Sequence, residues 1–305
     1  NITAFNGALL ELTGLNTFTQ FAHEDLSAMR EISFSMNNKL FDNSDRDNFD
    51  IFDSLGYFSF SNNHNGGFGQ YGISSEKISE NWKLGYGIAM ANINTGDGDS
   101  MHRQNKMWLF YVPAIYTKNN YELTIAPKAG FTYGDYSRRG YNNINYDGYI
   151  EKRIFGLMND LRYPIQFGNL ILAPDLALNT IVYEQRGYED GREFSLIIPD
   201  DRTISIEMGL GFYTKYEKKI SDGGHLKLSS GVMLYREFGD AYNIKLGIRG
   251  MDGMFSLYNN DYKYRGAASF GFDYAYNRLH VYGDAQYFMD NDKYINFKGG
   301  IRFIF

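Results

Sequence analysis

The most regular feature of this chain is an alternation of apolar and polar positions that recurs from about residue 55 onward. Successive side chains of a strand point to opposite faces, so each alternating run predicts a strand with one apolar face. The runs are about 10–14 residues long, which exceeds the usual strand of about 5–6 residues and suits a tilted membrane crossing. The clearest are 82–94 (WKLGYGIAMANIN), 121–133 (YELTIAPKAGFTY), 170–183 (LILAPDLALNTIVY), 204–217 (ISIEMGLGFYTKYE), 226–235 (LKLSSGVMLY) and 279–288 (LHVYGDAQYF).

The two faces of these predicted strands have different compositions. In the run at 204–217, one face is apolar, whereas the other carries Gly, Ser and charge. A barrel with lipid outside and water inside needs that division, although a soluble β-sandwich has the same period with shorter strands. The apolar face holds Ile204, Ile206, Met208, Leu210 and Phe212, and the opposite face holds Ser205, Glu207, Gly209, Gly211 and Tyr213.

The connections between the runs alternate in length. Short segments such as SEN, NN, GN and SDGG alternate with long ones such as TGDGDSMHRQN, SRRGYNNINYDG and GYEDGREFSLIIPDD. Short turns on one side and long loops on the other are typical of outer-membrane barrels. The pattern therefore predicts a closed antiparallel barrel of twelve strands over residues 51–305. The segment 243–258 also resembles a strand, but loop parity favours a hairpin extension outside the membrane.

The first 50 residues follow another period. Five apolar residues recur every three or four positions, which predicts a helix over about 25–41 within a linker of residues 1–50. Asp25 or Ser27 would be its N-cap. The helix would either belong to a small soluble domain or fill the pore of the barrel. The stripe consists of Leu26, Met29, Ile32, Met36 and Leu40.

The amino-acid composition supports the predicted membrane barrel and excludes thiol catalysis and Cys-ligated metal sites. Aromatic residues make up 17%, with 26 Tyr and 24 Phe, as the two aromatic girdles of a membrane barrel require, although a Tyr-rich soluble sandwich also fits. The chain has no Cys, which removes thiol catalysis and Cys-ligated metals, and its net charge of −6 argues against a nucleic-acid partner. We find no spacing that predicts catalytic residues, a metal site or a cofactor.

The chain starts without a signal peptide, so we expect a mature chain or the C-terminal part of a longer one. The chain ends in a run of alternating side chains that predicts a strand, and one face of this strand includes Ile301, Phe303 and Phe305. Such an apolar edge invites pairing with another strand.

Three stretches carry a resemblance to a known family. The terminal GGIRFIF is similar to the closing strand of autotransporter translocator domains, GGFGQYGISSEKISENWKLGYGIAMANIN resembles their second and third strands, and LILAPDLAL resembles their Leu-x-Pro strand. A helix ahead of twelve strands matches the layout of the family. The first strand, SLGYFSFS, departs from the family by lacking its frequent Trp.

The resemblance implies a translocator in the bacterial outer membrane that anchors an N-terminal passenger and assists its export. Expected partners are outer-membrane lipids and lipopolysaccharide, the barrel-assembly machinery and the passenger itself, and the protein would be a monomer. The assembly machinery would recognise Phe305, Phe303 and Ile301. A porin-like channel or a self-contained small barrel adhesin is the alternative.

The predicted lumen face carries charges of both signs. These residues would either satisfy one another along a wet wall or form a surface that holds the helix or a passing polypeptide. Mixed signs argue against an ion-selective porin. The set is Lys83, Glu122, Lys128, Asp160, Arg162, Asp175, Glu207, Lys215, Lys227, Asp273, Asp284, Lys298 and Arg302.

The dipeptide Asn37–Asn38 lies within the predicted helix. The resemblance implies a possible self-cleavage there, since some autotransporters cut an Asn–Asn bond inside the pore by attack of the Asn side chain on its own backbone carbonyl. The expected outcome is nevertheless display of an uncleaved passenger by a protein that is not an enzyme, with self-cleavage as the alternative.

Overall fold

The computed structural model describes residues 15–42, 48–58, 67–96, 101–139, 144–191, 195–241, 243–250, 252–258, 263–277, 279–289 and 293–303. It contains a helix, α1 (Leu15–Asp42), followed by strands. In the described part of the chain, no helix is both long and apolar enough to cross a membrane. Phe305 lies outside the described residues, and Ile301 and Phe303 are described only as backbone of the last strand.

Twelve strands of the described chain form one antiparallel path, in which each strand pairs with the next. The last strand also lies against the first, so the path closes into the predicted twelve-stranded barrel. The strands are β1 (Asn48–Phe58), β2 (Gly67–Lys77), β3 (Trp82–Gly96), β4 (Met101–Tyr111), β6 (Tyr121–Arg139), β7 (Asn145–Arg162), β9 (Leu170–Gln185), β12 (Asp201–Ser221), β13 (Gly224–Glu237), β16 (Tyr264–Tyr276), β17 (Leu279–Met289) and β18 (Lys293–Phe303).

Two barrel strands are interrupted by proline. After Pro113, β5 (Ala114–Lys118) continues β4 between the same neighbours, β3 and β6. After Pro164, β8 (Ile165–Phe167) continues β7 along β9. Proline has no N–H for the ladder, so the strand breaks locally without leaving the wall.

The two ends of the barrel differ. At one end the turns are tight, and Asn119, Gly168 and Asn277 adopt positive φ in them, as two-residue hairpin turns require. At the other end the strands extend further than the sequence suggested. The predicted loop TGDGDSMHRQN is largely strand, because β3 runs to Gly96 and β4 begins at Met101, and their registers continue through Thr95 and Arg103.

The two longest connections form a second sheet at that end. It contains β10 (Tyr188–Glu189), β11 (Leu196–Ile198), β14 (Asn243–Ile248) and β15 (Met254–Tyr258), in that order. The segment 243–258 is therefore a β14–β15 hairpin that stands off the barrel sheet, as loop parity indicated.

The faces of the barrel strands follow the predicted alternation. Along β12, the side chains of Ile206, Met208, Leu210 and Phe212 are exposed on the outside, whereas Glu207 is buried inside. An outward apolar surface of this kind is stable only against lipid, and the inward polar face is stable only if something satisfies it.

Candidate functional site: the helix in the pore

Helix α1 fills the interior of the barrel. All five residues of the predicted apolar stripe are at most 1% exposed, but so are Glu24 and Asp25 on the rest of its circumference. A helix buried on every side is surrounded by protein rather than docked on a surface. It begins at Leu15 instead of near residue 25, so Asp25 and Ser27 lie inside the helix and cannot be its N-cap.

The wall near the long-loop end holds the helix through charge at Glu24 and Asp25. Arg103 Nη2 lies 3.1 Å from Glu24 Oε2, and its Nη1 lies 2.9 Å from Asp25 Oδ1. Lys152 Nζ is 2.9 Å from the other Asp25 oxygen, and Asn105 donates to Asp25 at 2.7 Å. Asp25 therefore binds the wall from two strands, which explains why its carboxylate is not available as a cap.

A second charged layer lies in the middle of the pore. Arg30 of the helix donates to Ser205 at 3.0 Å and pairs with Glu237 and, at 3.3 Å, with Glu207. Glu207 also pairs with Arg265, whose Nη2 lies 2.9 Å from Glu207 Oε2. Two arginines thus face two glutamates in a buried site, where each charge has a partner of opposite sign.

Close packing accompanies these ion pairs. A Cβ on Gly87 of β3 would lie 2.8 Å from the terminal carbon of Met36, so the absence of a side chain there allows the helix to approach the wall. Phe34 and the wall residue Phe288 stack edge to face with centroids 5.6 Å apart.

Near the short-turn end, the pair Asn37–Asn38 meets a cluster of three wall residues. Asn37 Nδ2 donates to Asp160 Oδ2. Arg162 Nη1 lies 3.4 Å from the backbone oxygen of Asn37, and its Nη2 lies 3.4 Å from Asn38 Oδ1. The guanidinium is itself held at Nε by Asp160 (3.1 Å) and Asp175 (2.9 Å).

The last turn of the helix is anchored beside the short turns. Tyr213 donates to Asp42 Oδ1 at 2.8 Å, and Lys215 donates to the Asp42 backbone oxygen at 3.3 Å. Lys39 lies 2.8 Å from Asp284. The helix therefore runs from the long-loop end to the short-turn end, where β1 begins opposite Glu76 at the end of β2.

An apolar cluster closes the long-loop end around the helix. Phe21 packs with Leu196 and Leu246 of the small sheet and with Met101 and Ile150 of the wall. Beside the cluster, Asp190 is bound by the Arg138 guanidinium at 2.6 and 3.1 Å and by the Tyr136 hydroxyl at 3.0 Å. Burial raises the pKa of Tyr188 in the same sheet above its usual value.

The structure buries most of the predicted lumen residues. Lys83, Glu122, Lys128, Asp160, Arg162, Asp175, Glu207 and Lys215 are at most 8% exposed, and Lys227, Asp273 and Asp284 are partly buried. Several of these meet the helix, whereas Asp273 pairs with His280 at 3.0 Å on the wall. For Lys298 and Arg302 the structure describes only the backbone, which pairs with Asp284 and His280.

Sequence reasoning missed several residues that hold the helix. Arg103 and Glu237 lie at the long-loop ends of strands and Lys152 lies within β7, in segments taken as loop or left unassigned, and Arg265 supports the helix through Glu207. The signal was present in HRQNKMWLFY (102–111), whose alternation places Arg103 and Asn105 on the same face as Met107. Among the described residues, no group of three or more His, Asp or Glu is placed to bind a metal ion.

Comparison with known families decides what this helix-filled barrel is. The model of the autotransporter β-domain matches residues 44–286. This chain belongs to the autotransporter β-domain family. It is accordingly an outer-membrane β-barrel that serves as the translocator of a passenger. Translocator domains of this kind are generally not enzymes.

Two solved autotransporter domains share the fold. The translocator domain of NalP from Neisseria meningitidis has a TM-score of 0.69 at 13% identity, over 93% of this chain and 99% of that one. The β-domain of the Bordetella autotransporter BrkA has a TM-score of 0.61 at 14% identity, over 85% and 99%. A search of curated protein sequences found no match.

Proposed function

We propose that the passenger leaves the pore at the long-loop end and that helix α1 is the plug of the translocator as long as the chain is uncleaved. The observation that carries this proposal is the direction of the helix. Phe21 lies under the small sheet at the long-loop end, and Asp42 lies by Tyr213 near the short turns. A segment upstream of the helix is thereby directed outward, because the long loops of such barrels face the cell exterior.

The filled pore favours this function over a porin-like channel. An α-helix is about 10–12 Å across with its side chains, so it occupies the lumen of a barrel of this strand number. The wall residues Arg103, Glu207 and Asp160 bind helix residues along the pore. A resident helix of this kind is expected to block a wide aqueous path for solutes.

Conductance in planar bilayers tests the plug. Deleting residues 1–40 should raise single-channel conductance severalfold, because the lumen empties. Deleting residues 1–14 is the matched control, since it leaves α1 in place, and conductance should stay near that of the full chain. Unchanged conductance after the longer deletion would contradict the proposal.

We also propose that the barrel-assembly machinery recognises the end of β18, in particular Ile301, Phe303 and Phe305. Support comes from the position of β18, whose backbone pairs with β17 and meets β1 at the seam. An edge that must stay unpaired until closure suits recognition during assembly. Deletion of Phe305 should lower the outer-membrane level of the protein far more than Asn143→Ala in a predicted outer loop. Equal levels would exclude this role.

A second activity is supported by the contacts of Asn37. We propose that the chain can cleave itself between Asn37 and Asn38. The side-chain nitrogen of Asn37 attacks its own backbone carbonyl carbon, and Asp160, which accepts a hydrogen bond from that nitrogen, takes its proton. Negative charge then develops on the Asn37 backbone oxygen, which the Arg162 guanidinium approaches.

Water is the only further reactant that the remaining steps of the cleavage need. The bond to the Asn38 nitrogen breaks, Asp160 returns the proton to that amine, and Asn37 is left as a C-terminal succinimide that water opens. The passenger side would end at residue 37, and the barrel would begin at Asn38. An uncleaved passenger is the competing outcome.

Mass spectrometry of the folded chain tests the cleavage. We expect a fragment that begins at Asn38. Asn37→Ala should abolish it, and Asp160→Asn should slow it about 10²–10⁴-fold, the usual range for loss of an acid–base group. Asn38→Ala is the matched control, because it keeps the attacking group and the carbonyl. An intact wild-type chain, or equal cleavage of Asn37→Ala, would rule the activity out.

A further inference from the structure

Outside the pore, three arginines gather on the outward surface of the barrel at the long-loop end. Arg153 of β7 and Arg202 of β12 flank Glu184 of β9 in one hydrogen-bonded row, and Arg186 follows directly after β9. Together with neighbouring acidic residues they line a hollow of about 570 Å³. The acidic lining residues are Glu151, Glu184, Asp200 and Asp201.

Two of these arginines have guanidinium N–H groups that no carboxylate of the described residues binds. Neither Arg153 nor Arg202 forms an ion pair with any residue that the structure describes, although Glu184 is the register neighbour of both. Three of the four acids already have a partner, which for Glu151 is Arg186 of the same hollow. Glu151 lies 3.6 Å from Arg186, Asp201 lies 3.8 Å from Lys245, and Asp200 accepts the amide of Gly187 at 2.7 Å.

A second, aromatic hollow adjoins the first. It measures about 500 Å³ and shares Glu151 and Arg153 with the charged hollow. Phe131 and Tyr133 stack with centroids 6.3 Å apart, and Lys106 Nζ lies 6.0 Å from the Tyr133 centroid. The large apolar and aromatic lining residues are Phe110, Phe131, Tyr133, Tyr149 and Phe155, each of which is more than a third exposed.

We propose that these two hollows form one binding site for lipid A, the phosphorylated glycolipid anchor of lipopolysaccharide. The arginine hollow binds the phosphate and the aromatic hollow takes an acyl chain. Arg presents a planar fork of donors that matches phosphate, and stacked rings offer a chain a flat apolar surface. The long-loop end lies at the outer leaflet, where this lipid resides, so the proposal rests on the outer-membrane location and not on the state of the pore.

Native mass spectrometry of the full chain, released from detergent with added lipid, tests the site. The wild-type protein should retain one molecule of lipid A. Arg153→Gln combined with Arg202→Gln should weaken binding about tenfold or more, since a hydrogen bond to a charged group contributes enough for that change. Arg153→Lys, which keeps the charge but loses the fork, should give an intermediate loss.

The controls separate this site from general lipid contact. Lys118→Gln combined with Lys218→Gln removes the same charge from exposed positions near the short turns and should leave lipid A retention unchanged. Dephosphorylated lipid A should bind the wild type as weakly as the phosphorylated form binds the double arginine variant. Equal retention by wild type and the double arginine variant overturns the proposal, and so does equal retention of phosphatidylglycerol. Heat-dependent gel mobility verifies that every variant is folded.

Discussion

The inner and outer faces of the same strands have opposite patterns of burial. Charged side chains are buried on the inner face, and apolar side chains are exposed on the outer face. Along β12, Glu207 on the inside is 1% exposed and pairs with two arginines, whereas Leu210 on the outside is 59% exposed to the surroundings. In a soluble barrel the apolar side chains would be inside. Here the interior holds buried charges because they pair with charged residues of the helix, beside an apolar cluster around the stripe of the helix, and the exterior is apolar because it meets lipid. The cost of a substitution should therefore depend on which face it changes.

The largest effect should follow from removing the central cation of the inner cluster. Arg162→Ala leaves Asp160 and Asp175 buried beside each other without their partner, which should cost about 3–5 kcal/mol of unfolding free energy. Urea titration of the folded barrel in detergent, followed by heat-dependent gel mobility, measures it. The added change Asp175→Asn should recover part of the loss. A loss below about 1 kcal/mol would mean that the cluster is hydrated rather than dry.

A charge on the outer face should be the next most damaging change. Leu210→Arg places a cation in the middle of the apolar run of β12 and should cost about 2–4 kcal/mol in a bilayer. Refolding into lipid vesicles under a urea gradient measures this loss of folding free energy. Leu210→Ala is the control for lost side-chain volume. If the Arg variant matched the Ala variant, the outward face of β12 would not be in contact with hydrocarbon.

Loss of a single hydrogen bond between the helix and the wall should lower the unfolding free energy by a smaller amount. Tyr213→Phe removes the donor to Asp42 but leaves Lys215 and Lys227 near that residue, so we expect a loss of about 1 kcal/mol. The same urea titration applies. Phe270→Leu, an exposed outward aromatic on β16, serves as the comparison and should change stability by less. The reverse order would show that the end of the helix is not held by this bond.

The smallest effect is expected at the turn of β12 and β13. Lys219 lies 3.1 Å from Asp222, but the two side chains are 61% and 103% exposed. Exposed pairs of this kind contribute about 0–1 kcal/mol, so Lys219→Ala should leave the unfolding midpoint almost unchanged at any salt concentration. A loss as large as that of Tyr213→Phe would contradict the contrast between buried and exposed pairs.

The barrel itself could be predicted from the sequence. The alternation in 170–183 and 204–217 separates a lipid-facing side from a lumen side, because the side-chain period of a strand is a local property of the backbone. The short turns at Asn119 and Asn277 were visible for the same reason. The stripe from Leu26 to Leu40 likewise predicts a helix, since its period depends only on neighbouring residues.

Only the tertiary structure decided what the helix contacts. Residues 15–24 lay in the predicted linker, although Leu15, Phe18 and Phe21 recur at a helical spacing, so the earlier start of the helix could have been found in the sequence. The contacts could not, because they join residues distant in sequence, such as Asp25 with Arg103 and Asn37 with Asp160. Local patterns determine which face a side chain occupies, but the pairing of buried charges depends on closure of the barrel around the helix, which brings residues from opposite ends of the chain within hydrogen-bonding distance.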